Sequence, residues 1–282
     1  MPLIGIMQGR MLPPEAGRIQ CFPRAGWREE FALAAAAGLQ RIEWIYDASG
    51  ADVNPLATDE GIAEIISLSK NTGVEVRSLV ADYFMDFPLV RATTAEFDER
   101  VEKLKWLVKR AALAGIERIT IPFVDASRIE GKRDSDDVVA AVNGILPAAR
   151  DAKIEIHLET ALGPAEFASI LERLSDPLVR VNYDSGNSAS LGYDVRAEFA
   201  AYGSRVGSVH IKDRVRGGGT VPLGSGDADL PALAECLGKI RYDRDLILQV
   251  ARGVPGGEMH WMKKNRQYVA DLFKDLPSEA RL

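Results

Sequence analysis

The sequence has few residues of the kinds that bind metals through sulfur or imidazole: two cysteines and three histidines among 282 residues. Cys21 and Cys236 are far apart and form no CxxC pair, which argues against a thiolate metal site and fits a reducing, cytoplasmic location. Three histidines are also too few for a histidine-rich zinc cluster. Any metal site in this chain must therefore depend mainly on carboxylates.

Long apolar runs and an excess of positive charge are missing as well. No apolar run approaches the ~18 residues of a membrane span, and the apolar start of the chain is shorter than a signal-peptide core. We therefore expect no membrane association. Lys and Arg number 35 against 41 Asp and Glu, a net charge of −6. Without a basic block, this balance argues against nucleic acid as a partner.

The chain does contain a regular alternation of buried strands and amphipathic helices. Hydrophobic residues make up 46% and charged residues 27%, which is typical of a globular protein and excludes disorder. Short β-branched apolar runs predict eight strands at 3–7, 41–46, 74–80, 118–123, 154–159, 179–184, 206–211 and 245–250. Helical periodicity predicts eight helices at 26–37, 58–71, 94–114, 135–151, 164–174, 194–202, 229–238 and 258–274.

Strict alternation of this kind indicates parallel strands joined by crossover helices. Eight units of about 35 residues each favour a closed (β/α)8 barrel, and we expect one such domain over residues 1–282. The alternative is an open doubly wound sheet. It is disfavoured because no GxGxxG motif follows the first predicted strand.

Function in such a barrel gathers at the carboxyl ends of the strands. Predicted strands five to eight place Glu159, Asp184, His210 and Gln249 at a similar depth there. Taken singly, a strand carboxylate often caps a helix or pairs with Arg, and a strand histidine often belongs to the core. Four polar residues on four adjacent strands are costly to bury without a purpose. This mixed oxygen and nitrogen set suits one divalent ion such as Mn²⁺, Mg²⁺, Co²⁺ or Zn²⁺.

Short motifs along nearly the whole chain carry a family resemblance. They are GIMQGR at 5–10, IEW at 42–44, NPL at 54–56, IPF at 121–123, HLET at 157–160, DSGN at 184–187, HIKDR at 210–214 and PLGSGDAD at 222–229. Each fragment alone is weak, but their order and spacing are fairly specific. The sequence resembles the sugar phosphate isomerase/epimerase family of xylose isomerase-like TIM barrels.

The resemblance implies one divalent cation held by Glu, Asp, His and a second Glu on strands five to eight. Glu159, Asp184 and His210 match the first three positions, whereas Gln249 departs from the fourth. An amide oxygen can still coordinate a metal, but it carries no charge and takes no proton. Family members that epimerise ketoses are thought to use both glutamates, one on each face of an enediolate. With Gln249 at the fourth position, one of these two glutamate bases is missing.

The resemblance also implies roles for residues near the strand ends. We expect Glu159 to be the general base of a one-base aldose–ketose isomerisation, or of an epimerisation in which Asp213, Lys212 or Glu43 replaces the lost base. Lys212, Arg214 and Arg252 are candidates for anionic groups or for polarising a sugar oxygen. The expected substrate contacts are Gln8, Glu43, Trp44, Asn187, Arg214 and Arg252, with Tyr46, Tyr83 and Phe84 as further walls of a sugar pocket. Ordinary packing and surface charge are the alternatives for each.

The sequence therefore predicts a carbohydrate isomerase or epimerase that acts on a small-molecule sugar or sugar phosphate. Two alternatives stay open: a lyase such as a keto-cyclitol dehydratase on the same barrel, and a non-catalytic sugar-binding barrel that lost activity through Gln249. A relationship to AP endonucleases is disfavoured, because those sites need several metals and many histidines. The sequence does not determine whether the substrate is phosphorylated or whether the chain forms a homo-oligomer, as family members commonly do.

Overall fold

Eight parallel strands close into a barrel in a computed structural model that describes residues 2–277. This confirms the predicted (β/α)8, or TIM, barrel. The barrel strands are β1 (Ile4–Met7), β2 (Arg41–Ile45), β3 (Glu75–Val80), β4 (Arg118–Phe123), β5 (Glu155–Thr160), β6 (Val179–Asp184), β7 (Val206–Ile211) and β10 (Leu246–Leu248). Each strand pairs with its neighbours in chain order, and β10 closes the barrel against β1.

The helices lie between these strands in sequence and pack outside the barrel. They are α1 (Trp27–Ala36), α2 (Asp59–Thr72), α4 (Thr94–Leu113), α5 (Lys132–Ala152), α6 (Pro164–Arg173), α8 (Val195–Tyr202), α9 (Leu230–Lys239) and α10 (Glu258–Leu272). All eight predicted helices are present, with ends that differ by up to three residues. Their apolar faces are buried, as at Leu104 and Leu107 of α4 and Val138 and Val142 of α5, which is the packing that holds helices on a sheet.

Two short helices and a two-stranded hairpin at the carboxyl end of the barrel were not predicted. Helix α3 (Tyr83–Asp86) follows β3, and helix α7 (Ser185–Leu191) follows β6. Strands β8 (Asp213–Arg214) and β9 (Thr220–Val221) form an antiparallel hairpin, and a glycine run at 217–219 lies between them. These elements build the rim around the mouth of the barrel.

The opposite end of the barrel is held by charged side chains at the strand starts. Arg118 and Asp245 form an ion pair there, and their side chains are only 4% and 3% exposed. Glu155 accepts hydrogen bonds from Arg180 and Arg244 nearby. Because these charges are paired with one another, their burial is tolerated.

In residues 2–277 we find no helix that combines the length and the apolar character needed to cross a membrane.

Candidate active site

The upper part of the barrel interior is built from residues two apart on strands β5, β6 and β7. Side chains two residues apart on a strand point to the same face, so each strand supplies one residue to an upper layer and one to a lower layer. The upper layer is Glu159, Asp184 and His210, and the lower layer is His157, Asn182 and Ser208. All six residues are buried. The strand period therefore brings three potential metal ligands together at the mouth of the barrel.

Glu159, Asp184 and His210 offer ligand atoms that all lie within 4.8 Å of one another. Donor atoms held at 2.0–2.6 Å from one ion are at most about 5 Å apart. Two carboxylates and one imidazole also form a chemically suitable set for a divalent first-row metal or Zn²⁺. The three side chains therefore fit a divalent ion.

Glu43 controls which nitrogen of His210 is available to such an ion. His210 Nε2 lies 2.6 Å from Glu43 Oε2, and Nδ1 lies 3.3 Å from Glu159 Oε2. Both Glu43 and His210 are fully buried. A carboxylate that accepts from one imidazole nitrogen fixes the tautomer and leaves the other nitrogen for the metal. Nδ1 is thus the nitrogen that faces Glu159.

The same carboxylates determine the charge of this histidine when no ion is bound. Burial lowers the pKa of His210, but Glu43 and Glu159 outweigh it and raise the pKa to about 10. Metal ligands must be deprotonated. Any proton on Nδ1 is therefore lost when an ion binds there.

Two amide side chains hold Glu159 in place. Asn182 Nδ2 donates to Glu159 Oε2 at 2.7 Å, and Asn187 Nδ2 donates to Oε1 at the same distance. Ser208 Oγ donates to Asn182 Oδ1 at 2.6 Å, and His157 Nδ1 lies 2.6 Å from the same hydroxyl. The lower layer thus supports the upper layer through direct hydrogen bonds. His157 thus lies one layer deeper in the barrel than Glu159.

Asp184 has both a structural and a possible ligand role. Its Oδ1 accepts from the backbone N–H groups of Gly186 and Asn187 at 2.8 Å, which caps α7. Its Oδ2 accepts from Lys212 Nζ at 3.1 Å. Asp184 therefore does cap a helix, but the cap uses only Oδ1 and leaves Oδ2 facing Lys212.

Lys212 lies between Asp184 and Gln249. Its ammonium donates to Gln249 Oε1 and to Asn187 Oδ1, each at 3.1 Å. Gln249 Nε2 in turn donates to Gln20 Oε1 at 2.9 Å. The amide of Gln249 is thus engaged at both ends by protein groups, and a fourth metal bond from its oxygen would have to replace the bond to Lys212.

A polar cavity of about 300 Å³ opens at this end of the barrel. Glu159, Asn187, Lys212, Arg214 and Gln249 line it. Arg214 NH1 donates to Asn187 Oδ1 at 3.0 Å, and its other nitrogens donate to Gly218 O. The hairpin and the glycine run are thereby held over the cavity. This volume is at the small end of ligand sites and suits one small molecule.

Several expected substrate contacts lie elsewhere. Gln8 is buried and its Oε1 accepts from Ile45 N at 2.9 Å, while Glu43 is occupied by His210. Arg252 donates to the backbone oxygens of Gly9, Leu12 and Ile19, which fixes the loop after β1. None of Gln8, Glu43 and Arg252 is among the described residues that line the cavity.

The expected aromatic walls belong to the core. Trp44 is fully buried against Phe22 and Trp27, and its Nε1 donates to Asn54 Oδ1 at 3.1 Å. Tyr46 packs against Tyr83 and Trp106 outside the cavity. Strand neighbours point to opposite faces, so Trp44 faces outward while Glu43 faces the barrel interior. The expectation that Trp44, Tyr46, Tyr83 and Phe84 form the pocket walls is not supported by the described lining.

Asp213 also has a different environment from the one expected of a base. Its carboxylate accepts from the backbone N–H groups of Gly224 and Gly226 at 2.9 Å and of Ala228 at 3.1 Å. The side chain is fully buried and lies outside the described cavity lining. These contacts hold the loop that follows the hairpin.

The cavity includes residues to which the sequence analysis gave no role: Arg10, Arg18, Gln20 and Asp82. Arg10 NH2 donates to Gln20 Oε1 at 3.2 Å. Within residues 2–277 the side chain of Arg18 has no hydrogen bond or ion pair. Asp82 is the second residue after predicted strand three, so the search for polar residues at strand ends that identified Asp184 could have found it. Gln20 lies in a loop without any local signal.

Comparison with known proteins shows where this barrel belongs. Residues 31–271 match the model of the xylose isomerase-like TIM barrel family. SgbU of Escherichia coli (strain K12), which bears the name of an L-ribulose-5-phosphate 3-epimerase, is 23% identical over 265 residues, 88% of each chain. The fold is similar to a xylose isomerase domain protein from Planctomyces limnophilus, at 18% identity, TM-score 0.76 and 98% of each chain. It is also similar to an IolI protein solved with a zinc atom, at 15% identity and TM-score 0.76 over 98% of this chain and 99% of that one. The chain is therefore a member of the xylose isomerase-like TIM barrel family.

Proposed function

We propose that this protein is a divalent-metal-dependent isomerase or epimerase of a sugar, sugar phosphate or related polyol, with Glu159 as the base. The observation that carries the proposal is the convergence of Glu159, Asp184 and His210 within 4.8 Å beside a polar cavity. The family match and the epimerase name of SgbU support it.

Glu159, Asp184 and His210 would hold the ion, which can be Mn²⁺, Mg²⁺, Co²⁺ or Zn²⁺. When bound, it supplies Lewis acidity that makes a C–H bond next to a substrate carbonyl more acidic. IolI, with its zinc atom, is a precedent for a metal on a similar barrel.

Protein groups would perform the proton transfer and bind the substrate. Glu159 accepts the carbon proton, and Asn182 and Asn187 hold its two oxygens in a fixed orientation. Lys212 projects its ammonium into the cavity beside Asp184, where it stabilises the negative charge that develops on the substrate oxygens. Arg214 is available to an anionic or hydroxyl group at the hairpin end of the cavity.

Proton exchange with solvent tests the reaction class. Purified protein, stripped of metal and then supplied with Mn²⁺, is incubated in D₂O with L-ribulose, L-ribulose 5-phosphate, D-allulose and a keto-cyclitol. We expect NMR to show metal-dependent deuterium incorporation next to the carbonyl of at least one compound, with formation of its isomer or epimer. Loss of water from the compound would identify a lyase instead. Protein that binds less than a few hundredths of an ion per chain would contradict the metal assignment.

A non-catalytic sugar-binding barrel is the second candidate function. It is favoured by the engagement of Gln249 with both Lys212 and Gln20, where the family resemblance calls for a carboxylate. Binding of a ketose by calorimetry in the presence of metal, without deuterium incorporation into any compound, would support this candidate over the enzyme.

A further inference from the structure

Asp82 is a carboxylate in the cavity that the reaction outlined above does not use. It follows β3, precedes α3 and lines the same cavity as Glu159. Its Oδ2 accepts from Gln20 Nε2 at 2.7 Å. Within residues 2–277, its Oδ1 has no hydrogen-bond partner, and the side chain is partly accessible. One oxygen of Asp82 is therefore fixed and the other is available to a bound molecule.

Asp82 lies among charged groups, most of which are acidic. Glu159, Asp47 and Glu43 are near enough to influence its charge, and so is Arg10, but no cation of residues 2–277 lies within ion-pair distance of its carboxylate. Enclosure by protein raises the pKa of Asp82 to about 7, and these three carboxylates add to the effect. A group that titrates near neutral pH can both give and take a proton there.

Epimerisation needs a second proton-transfer group, and Gln249 cannot be that group because an amide takes no proton. Of the candidates named for the role, Glu43 is bound to His210 and Asp213 is bound to loop N–H groups. The third candidate, Lys212, donates hydrogen bonds to Asp184, Asn187 and Gln249 through its ammonium. Asp82 has a free oxygen and shares a cavity of about 300 Å³ with Glu159. In a cavity of that size a single small molecule can contact both carboxylates.

We propose that Asp82 is the second proton-transfer residue of the site, acting on the substrate carbon from the side opposite Glu159. This inference rests on the proposed sugar epimerase function. Glu159 takes the proton from the carbon next to the carbonyl, the C–H electron pair moves into an enediolate, and Asp82 returns a proton to the same carbon on the other face. No oxidant is needed. Exchange of both carboxyl groups with solvent restores their starting states.

Gln20 positions Asp82 and ties it to the other side of the cavity. Its amide donates to Asp82 and its oxygen accepts from Gln249. Gln249 thus has a use in this site as an amide: through Gln20 it supports the acid that replaces the missing glutamate.

The test separates removal of a proton from its return on the other face. Asp82→Asn keeps an oxygen that accepts from Gln20 but cannot donate a carboxyl proton. In D₂O with Mn²⁺ and the ketose that wild type epimerises, we expect the epimer to form at least about 100-fold more slowly. Deuterium should still enter the recovered starting ketose at a rate within about threefold of wild type, because Glu159 still removes and returns the proton on its own face.

Asp98→Asn is the matched control. Asp98 is an exposed carboxylate on α4, outside the described lining of the cavity, and its variant should retain both rates. Thermal melting of both variants checks that they are folded.

Three results would overturn the inference. The first is epimer formation by folded Asp82→Asn at the wild-type rate, and the second is an equal loss of exchange and epimerisation, which would make Asp82 a binding residue only. The third is a wild type that exchanges but does not epimerise, while Gln249→Glu does both. The missing second base would then be a carboxylate at position 249, not Asp82. In all three cases the proposed sugar chemistry of Glu159 stands. A wild type that exchanges no proton in any compound would refute the proposed function itself.

Discussion

The pair formed by Glu43 and His210 allows a quantitative test of the metal site. Glu43 Oε2 lies 2.6 Å from His210 Nε2, and both side chains are fully buried. Glu43→Gln preserves the shape but replaces an obligatory acceptor with an amide that can accept or donate. In this variant His210 can also carry its proton on Nδ1. In that tautomer Nδ1 cannot bind the metal.

Removing such a partner typically weakens metal binding by 10–100-fold, which corresponds to about 1.4–2.7 kcal/mol at 25 °C. Competition between the protein and a chromogenic chelator for Zn²⁺ or Mn²⁺ measures this dissociation constant. Asp86→Asn removes a cavity carboxylate that does not contact His210 and should leave the constant unchanged. A Glu43→Gln dissociation constant within about threefold of wild type would refute the assignment of Glu43 as the residue that orients His210.

Two further predictions concern stability. Arg118→Met leaves the buried carboxylate of Asp245 with only the longer ion pair to Arg41 Nε, at 3.9 Å, and should lower the free energy of unfolding in urea by about 3 kcal/mol, the lower end of the usual cost. Replacing Asp245 by Leu as well should recover much of that loss, and no recovery would argue against an electrostatic cause. Glu30 has its pKa raised to about 7 by burial, despite hydrogen bonds from the backbone N–H groups of Gly9 and Met11. Because the folded-state pKa exceeds that of the unfolded chain, its contribution to stability is full below about pH 4.5 and is lost as the pH rises through 7. Glu30→Gln should therefore flatten the fall in unfolding free energy between pH 5 and pH 8, and an unchanged slope would contradict this pKa.

The fold was predictable from local patterns because each barrel strand is a short apolar run between polar ends. Strands β4, β6 and β7 have the predicted bounds, and the largest difference is at the last strand, predicted over 245–250 and observed as Leu246–Leu248. Gln249 still donates its backbone N–H to Ile211 O, so the chain continues in an extended path beyond the assigned strand.

The three potential metal ligands could be located in the sequence because they follow the two-residue period of strands with clear ends. The role of Glu43 could not, since its partner His210 is 167 residues away in sequence. For Trp44 the same period should have argued against a pocket role, because strand neighbours cannot both face the barrel interior.

The remaining differences between the predicted and the observed site lie in loops. The sequence suggests Asp213 as a base because it follows the strand that carries His210. Its partners are the backbone N–H groups of a loop whose path no sequence pattern indicates. Gln20 lies at the cavity in a loop after β1, where the neighbouring Ile19 O accepts hydrogen bonds from Arg10 and Arg252. Such contacts depend on tertiary structure and leave no periodic signal.

The central claim is that Glu159 removes a proton from a carbon next to a sugar carbonyl. The most direct measurement is NMR detection of deuterium incorporation into a ketose in D₂O with Mn²⁺, for wild type and for Glu159→Gln at matched metal occupancy. We predict incorporation by wild type and a rate lower by about 10²–10⁴-fold in the variant, the usual effect of losing a general base. Equal rates for the two proteins, with both fully loaded, would contradict the account.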